Sequence, residues 1–290
     1  IDIAISEDDE FQYVSIPDEL SVDSCSYLST LRQYLISTGS IQFINTRATS
    51  IVPHNDSCDV VLESGESIRS EKVVLCAGAW SQGLLDASPS LIQPTIRVFN
   101  DVGSALLLSS EFPHVAQPSV EAIFRSPNRG GTCGIHSVQR ASSVYIGASS
   151  HPTTVDMKLP KVSSLETLSS GIEPISSINA HRLSCSIVTG YRPVTEDIIP
   201  LIGFLHENVL CCYGTKRDGF TWSPYFAKLL SQMLYKKDLP LGTESNDFLE
   251  LCCPNRSFTS FADPALCTSM FLESKAAEFY QHNMLLTNEN

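Results

Sequence analysis

The stretch GYRPVTEDIIPLIG, residues 190–203, sets one guanidinium, Arg192, among apolar neighbours and follows it with two acids, Glu196 and Asp197, before a second apolar run. Pro193 confines the residue before it to extended or turn conformations. An arginine fixed beside apolar strands needs an anion or a carbonyl, because burying an unpaired charge is costly. Two partners stand open: the carboxylate of a ligand, or an internal acid, Glu196 or Asp197, that would make Arg192 a structural latch. Further along, Gly214-Thr215-Lys216-Arg217-Asp218-Gly219 leads from the apolar run NVLCCYG into a stretch with helical periodicity. Backbone N–H groups at a helix N-terminus favour negative charge, and Lys216 would add a cation. The plain alternative is a strand-to-helix turn that needs glycine at both ends. A third segment, VVLCAG (73–78), ends an apolar run in Ala77-Gly78, where glycine lets a backbone approach a ligand or a packed neighbour closely.

Other catalytic patterns are missing. The 290 residues contain no GxGxxG, GxxxxGK[ST], GxSxG or HExxH. The ten cysteines lie at Cys25, Cys58, Cys76, Cys133, Cys185 and Cys267, with adjacent pairs Cys211-Cys212 and Cys252-Cys253, and form no CxxC. Neighbours in a strand point to opposite faces, so Cys211 and Cys212 are not expected to share a metal ion. The expectation is buried, reduced thiols acting as small apolar residues, and no metal site.

The elements that must position these groups are a mixture. Residues 1–20 are acidic and strand-poor. Tyr27, Leu28, Leu31, Tyr34 and Leu35 recur at helical spacing before Gly39, which predicts a helix over 21–39. Short strands are expected at 41–44, 48–52, 58–64 and 72–78, with a turn at 63–67. Strand-like runs continue over 91–148, notably SALLLSS and SSVYIGASS, and 161–178 is expected to be helical with a break at Gly171. Ser223-Pro224 is expected to cap and start a helix whose apolar face is Tyr225, Phe226, Leu229, Leu230, Met233 and Leu234. The tail from 243 is loop-rich until a closing helix at 274–286. Without a clean βαβ alternation the fold class is α/β in the sense of an α+β mixture.

Composition excludes some partners. A net charge of −13 with no Lys/Arg run disfavours nucleic acid and anionic membrane. No apolar stretch reaches the roughly 18 residues of a membrane span, and no basic-then-apolar leader is present, so the default expectation is cytoplasmic.

Three segments together resemble the FAD-dependent D-amino-acid-oxidase-like superfamily, which includes glycine oxidase and sarcosine oxidase. GESIRSEKVVLCAGAWS (65–81) is similar to its flavin-contacting strand, VYIGASSH (144–151) to its substrate-domain strand, and GYRPVTEDIIPLIG followed by GTKRDGFTWSP to its C-terminal flavin segment. The resemblance covers roughly 25–235 and implies a FAD-binding domain of the glutathione-reductase-like type (1–90 and 181–242), an interleaved antiparallel-sheet substrate domain (91–180), and a tail (243–290). The dinucleotide-binding unit with GxGxxG and its ribose-binding acid lies outside these residues, which implies the C-terminal three-quarters of such a protein.

The resemblance also assigns roles. Ala48, Ala77, Gly78, Trp80, Gly214, Lys216, Asp218 and Gly219 fall where the family contacts FAD, here held non-covalently. Arg192, assisted by Arg217, falls where the family grips a substrate carboxylate, and Phe124 stands where glycine-oxidase-like members place a tyrosine hydroxyl. The implied reaction is oxidation of an amine or amino acid, with hydride passing from the substrate carbon to flavin N5 and an imine left for hydrolysis. The alternative is a relative that binds no FAD and serves as a non-catalytic binding module.

Overall fold

The computed structural model describes residues 4–8, 11–15, 21–109, 123–125, 135–140, 143–153, 160, 162–170, 184–235 and 243–257. The elements in chain order are β1 (Ala4–Asp8), β2 (Phe11–Ser15), α1 (Ser24–Ser37), β3 (Ala48–Pro53), β4 (Cys58–Leu62), β5 (Ser67–Ser70), β6 (Val73–Leu75), α2 (Ser81–Asp86) and β7 (Val98–Ser109). They continue with β8 (Ile123–Arg125), β9 (His136–Arg140), β10 (Ser143–Gly147), β11 (His151–Thr153), α3 (Val162–Ser170), β12 (Cys185–Thr195), β13 (Leu201–His206), β14 (Val209–Tyr213), α4 (Gly219–Tyr235) and α5 (Thr243–Leu251). Helices and mostly antiparallel sheets mix, as the sequence predicts.

The largest described sheet has six strands around β7, whose twelve residues carry β10 and β11 along one edge and β12 along the other. The β7–β12 ladder is antiparallel and runs from Val98↔Thr195 to Leu108↔Cys185. One face of this sheet buries Leu106, Leu108, Val144 and Ile146 against Leu165 and Leu168 of α3.

A second sheet, β13-β14-β6, sorts its side chains by alternation. Leu201, Leu205, Val209, Cys211 and Tyr213 pack with Leu75, Leu85 and Ile51 on one side. Ile202 and Cys212 pack with Phe226 and Leu229 of α4 and Phe248 of α5 on the other. The third sheet, the meander β3-β4-β5, is tied to the second by Asn208, whose amide donates to the carbonyls of His54 and Asn55. Gly65, at φ +86°, makes the β4–β5 turn.

Several expectations are corrected. β1 and β2 pair antiparallel, although the polar composition of residues 1–20 reads as strand-poor. Residues 41–44 make no strand, since no described neighbour offers a ladder, and Phe43 instead lies under the Arg32 guanidinium. The last strong helix starts at Gly219, so Pro224 sits inside it. Proline has no N–H to give the Phe220 carbonyl, and that oxygen accepts the Ser223 hydroxyl instead. The region from 243 opens with a helix, α5, and not a loop. Helix α1 forms as expected, capped by Asp23, but buries none of its residues. The expected break at Gly171 and the helix at 274–286 lie outside the described residues.

Candidate functional site

The ends of β6 and β14 lie side by side, because these two strands pair in parallel with Cys211 opposite Leu75. Each runs two residues further and then turns at a glycine in the left-handed region, Gly78 at φ +57° and Gly214 at φ +82°. The Gly78 turn is a short 3₁₀ segment through Trp80, begun by Ala77, whose carbonyl accepts the Trp80 N–H. It meets β12: the Trp80 indole, 65% exposed, stands edge-on to the Tyr191 ring at 6.2 Å. The Gly214 turn meets the same strand from the other side. Val194 bridges Thr215, and the Lys216 N–H donates to the Pro193 carbonyl at 2.9 Å. The chain then passes Asp218, whose carbonyl accepts the Trp222 N–H, into α4.

Arg192 is therefore flanked by both turns. Directly across the ladder stands Asp101, fully buried, and Arg192 Nη1 reaches its Oδ2 at 3.3 Å and the Ser149 carbonyl at 3.2 Å. The Ser150 hydroxyl donates to both Asp101 oxygens at 2.8 Å. The guanidinium lies over Gly103, where any Cβ would collide with it. Nε and Nη2 make no hydrogen bond among the described residues, and the side chain keeps 20% of its exposure.

The internal partner is thus Asp101, and neither Glu196 nor Asp197. Asp197 is claimed by Arg256, which donates to both of its oxygens and to the carbonyls of Ile199, Pro200 and Cys253. Glu196 is buried in the turn, where desolvation pushes its carboxyl above the usual range while the Arg97 N–H, donated to it, works in the opposite sense. Asp101, Gly103 and Ser149 were missed by sequence reading. The available signal was an acid inside an apolar strand, FNDVGSALLL, since a buried acid requires a partner.

The remaining candidates distribute unevenly. Arg217 is exposed in the loop. Phe124 is on β8 opposite Ser137, in the same sheet as Arg192. Ala48 begins β3 in the separate meander, and no hydrogen bond or strand pairing among the described residues joins it to the others. Gly214 and Gly219 are glycines for internal reasons: a Cβ would strike Thr195 at the first and Thr215 at the second. Gly78 differs, because a Cβ there would meet nothing within 4 Å. That open flank, beside the exposed Cys76 and Trp80, is the place where the residues present fit a flat ligand such as a flavin.

The cysteines also depart from expectation. Cys58, Cys211 and Cys252 are buried, with burial pushing the Cys211 and Cys252 thiols up to about 12, but Cys25, Cys76 and Cys185 are exposed. Cys211 and Cys212 do face opposite cores. Among the described residues no group of three or more His, Cys, Asp or Glu could hold a metal ion, and no helix is long and apolar enough to cross a membrane.

A family model described as FAD dependent oxidoreductase, DAO, matches residues 9–233, which include both glycine turns and the whole of β12. The chain belongs to this family. The FAD dependent oxidoreductase fold recurs in solved structures similar to this one. Glycine oxidase from Geobacillus kaustophilus superposes with a TM-score of 0.64 at 19% identity, over 86% of this chain and 60% of that one. L-proline dehydrogenase from P. horikoshii gives 0.65 at 17%, over 81% and 59%, and iminodiacetate oxidase from Chelativorans sp. BNC1 gives 0.60 at 16%, over 77% and 57%. This chain spans about three fifths of the length of these structures. No curated protein matches the sequence. FAD is the cofactor on which the family depends.

Proposed function

We propose that this chain serves an FAD-dependent oxidoreductase acting on a small amine or amino acid that carries a carboxylate. The observation that supports it is the posture of Arg192. One Nη is anchored on Asp101 and the Ser149 carbonyl, while Nε and Nη2 make no hydrogen bond among the described residues. A guanidinium fixed at one end presents a pre-oriented fork, which is the geometry a carboxylate accepts in bidentate fashion. Latch and ligand grip are then two halves of one arrangement.

Within this reading Ala77, Gly78 and Trp80 form the flank nearest the cofactor, and Lys216, with the N-terminus of α4, supplies positive potential from the other turn. When bound, FAD supplies the two-electron chemistry, taking a hydride from the substrate carbon next to nitrogen. Arg192 fixes the carboxylate end of the substrate, so that this carbon is held at one place, and Arg217 lies on the same loop as Lys216 to assist. Water hydrolyses the imine product.

The test is anaerobic mixing of the FAD-loaded protein with amines and amino acids while flavin absorbance is followed. Bleaching by carboxylate-bearing amines, lost in Arg192→Ala, is expected. If no amine bleaches the flavin of the FAD-loaded protein, the non-catalytic binding module replaces the oxidoreductase.

A further inference from the structure

We propose that Cys76 and Cys212 form a reversible disulfide that locks the two glycine turns of the site together. Continuing the β6–β14 register by one step from Leu75↔Cys211 sets Cys76 opposite Cys212. Adjacent strands lie roughly 4.7–4.9 Å apart, within the roughly 4.4–6.8 Å between Cα atoms that a disulfide spans. Alternation places both side chains on one face. Leu75 and Cys211 pack into the core beneath the sheet, while Cys212 packs toward α4 on the opposite side.

The two thiols act on each other most strongly, which holds the Cys76 thiol below and the Cys212 thiol above the usual range. Both are free thiols, and Cys76 is the exposed one. This assigns different roles to the pair. Cys76 is the attacking sulfur, because it is the one solvent and oxidant reach, and the less exposed Cys212 is the resolving one.

The oxidant is a hydroperoxide. Cys76 sulfur attacks one peroxide oxygen, the O–O bond breaks, that oxygen stays on Cys76 as sulfenic acid, and the other takes the proton and leaves as water. The Cys212 sulfur then attacks the Cys76 sulfur, the S–O bond breaks, and a second water leaves. Two thiols are oxidised by two electrons and one peroxide is reduced. A dithiol reverses the bond by exchange. Each cysteine stands two residues before its turn glycine, Gly78 or Gly214, so a single bond would constrain both walls of the site at once.

The experiment treats the reduced full-length chain with hydrogen peroxide, alkylates residual thiols and digests it without reductant. Expected is a linked pair of peptides containing Cys76 and Cys212, lighter by two hydrogens than their sum and separated by dithiothreitol. Cys211→Ala keeps the link, because that thiol faces the other core, whereas Cys212→Ala abolishes it and leaves Cys76 sulfenic acid trapped by dimedone. Circular dichroism confirms that each variant is folded. The inference is overturned if Cys76 and Cys212 are both alkylated after peroxide, if Cys76 advances to sulfinic acid with Cys212 still reduced, or if the link joins Cys76 to Cys211.

Discussion

Arg192 and Asp101 face each other across two antiparallel strands, and their 3.3 Å contact engages one end of the guanidinium only. Asp101 is held in turn by the Ser150 hydroxyl, so the acid has fixed orientation and passes it to the arginine. Gly103, two residues along β7, leaves the hollow in which the guanidinium lies. Asp101 and Gly103 of β7, with Ser150 of the link between β10 and β11, therefore hold the guanidinium in place.

Replacing Arg192 by Lys should raise KM for carboxylate substrates with little change in kcat, since an ammonium cannot reproduce a bidentate fork. The expected loss is about 1.5–3 kcal/mol, the range for hydrogen bonds to charged groups. Steady-state kinetics with paired substrates, one with and one without the carboxylate, measures it. Equal losses for both members of the pair would argue against a carboxylate grip.

Arg192→Ala should also destabilise the fold, because it removes the guanidinium from beside the buried Asp101. Breaking a buried pair costs about 3–5 kcal/mol, and the 20% exposure of Arg192 should bring this pair to the lower end or below. Asp101→Asn in the same chain should recover part of the loss. Denaturant unfolding of both single variants and the double variant gives the coupling, and strict additivity would mean the two side chains are energetically independent.

The two turn glycines should respond differently to alanine. Gly214→Ala combines a left-handed backbone with a collision at Thr195, so its cost should exceed the roughly 1–2 kcal/mol of the conformation alone. Gly78→Ala meets open space and should cost about that conformational amount, while the new methyl occupies the flank assigned to the flavin. Thermal unfolding compares stabilities, and FAD titration compares affinities. A Gly78→Ala protein that binds FAD as tightly as the parent would move the cofactor away from this turn.

How far these relationships are legible in the sequence depends on their range. The strand over Val73–Leu75, though it stops short of the expected Gly78, the helix face of Phe226 and Leu229 and the Arg192-Pro193 strand all follow from local pattern. The Arg192 partner does not, because Asp101 is 91 residues away and only the β7–β12 pairing brings it opposite, whereas Glu196 and Asp197 are merely near in sequence. Asp197 was misread for the same reason: Arg256 reaches it from a segment 59 residues later. Pro224 reads locally as a helix start, yet the turn set by Gly214 and Lys216 begins α4 at Gly219, and the Ser223 hydroxyl satisfies the carbonyl the proline leaves free.

Arg256 and Asp197 fasten the segment after α5 to the turn that follows β12. The pair is 8% and 2% exposed, with Nε–Oδ2 at 2.7 Å, and three backbone carbonyls fill the rest of the guanidinium. Arg256→Ala should cost about 3–5 kcal/mol, chiefly through the abandoned acid. Asp197→Asn should cost less, because the carbonyl acceptors remain. Hydrogen exchange should show lost protection at Ile199 to Ile202 in the Arg256 variant, and unchanged exchange there would mean that the fastening is not structural.

Glu196 gives the pH test. Burial raises its carboxyl above the ordinary value, with Asp197 adding in the same sense and Arg97 opposing. The sign follows from linkage: a carboxyl whose folded value is raised favours folding fully below its unfolded value and loses that contribution as pH climbs through the folded one. Wild-type protein and Glu196→Gln should therefore be about equally stable below about pH 4, near the ordinary glutamate value. Above it the variant should become the more stable, reaching a constant advantage once Glu196 is ionised in both states. The Gln carbonyl can still accept the Arg97 N–H, so that bond is retained. Removing the opposing cation, as in Arg97→Ala, should widen the gap at neutral pH. Unfolding midpoints of the parent and these variants from pH 3.5 to 8 provide the measurement. A difference between Glu196→Gln and the parent that is the same at every pH would mean that the carboxyl binds its proton equally in both states, and that its burial imposes no penalty on the charged form.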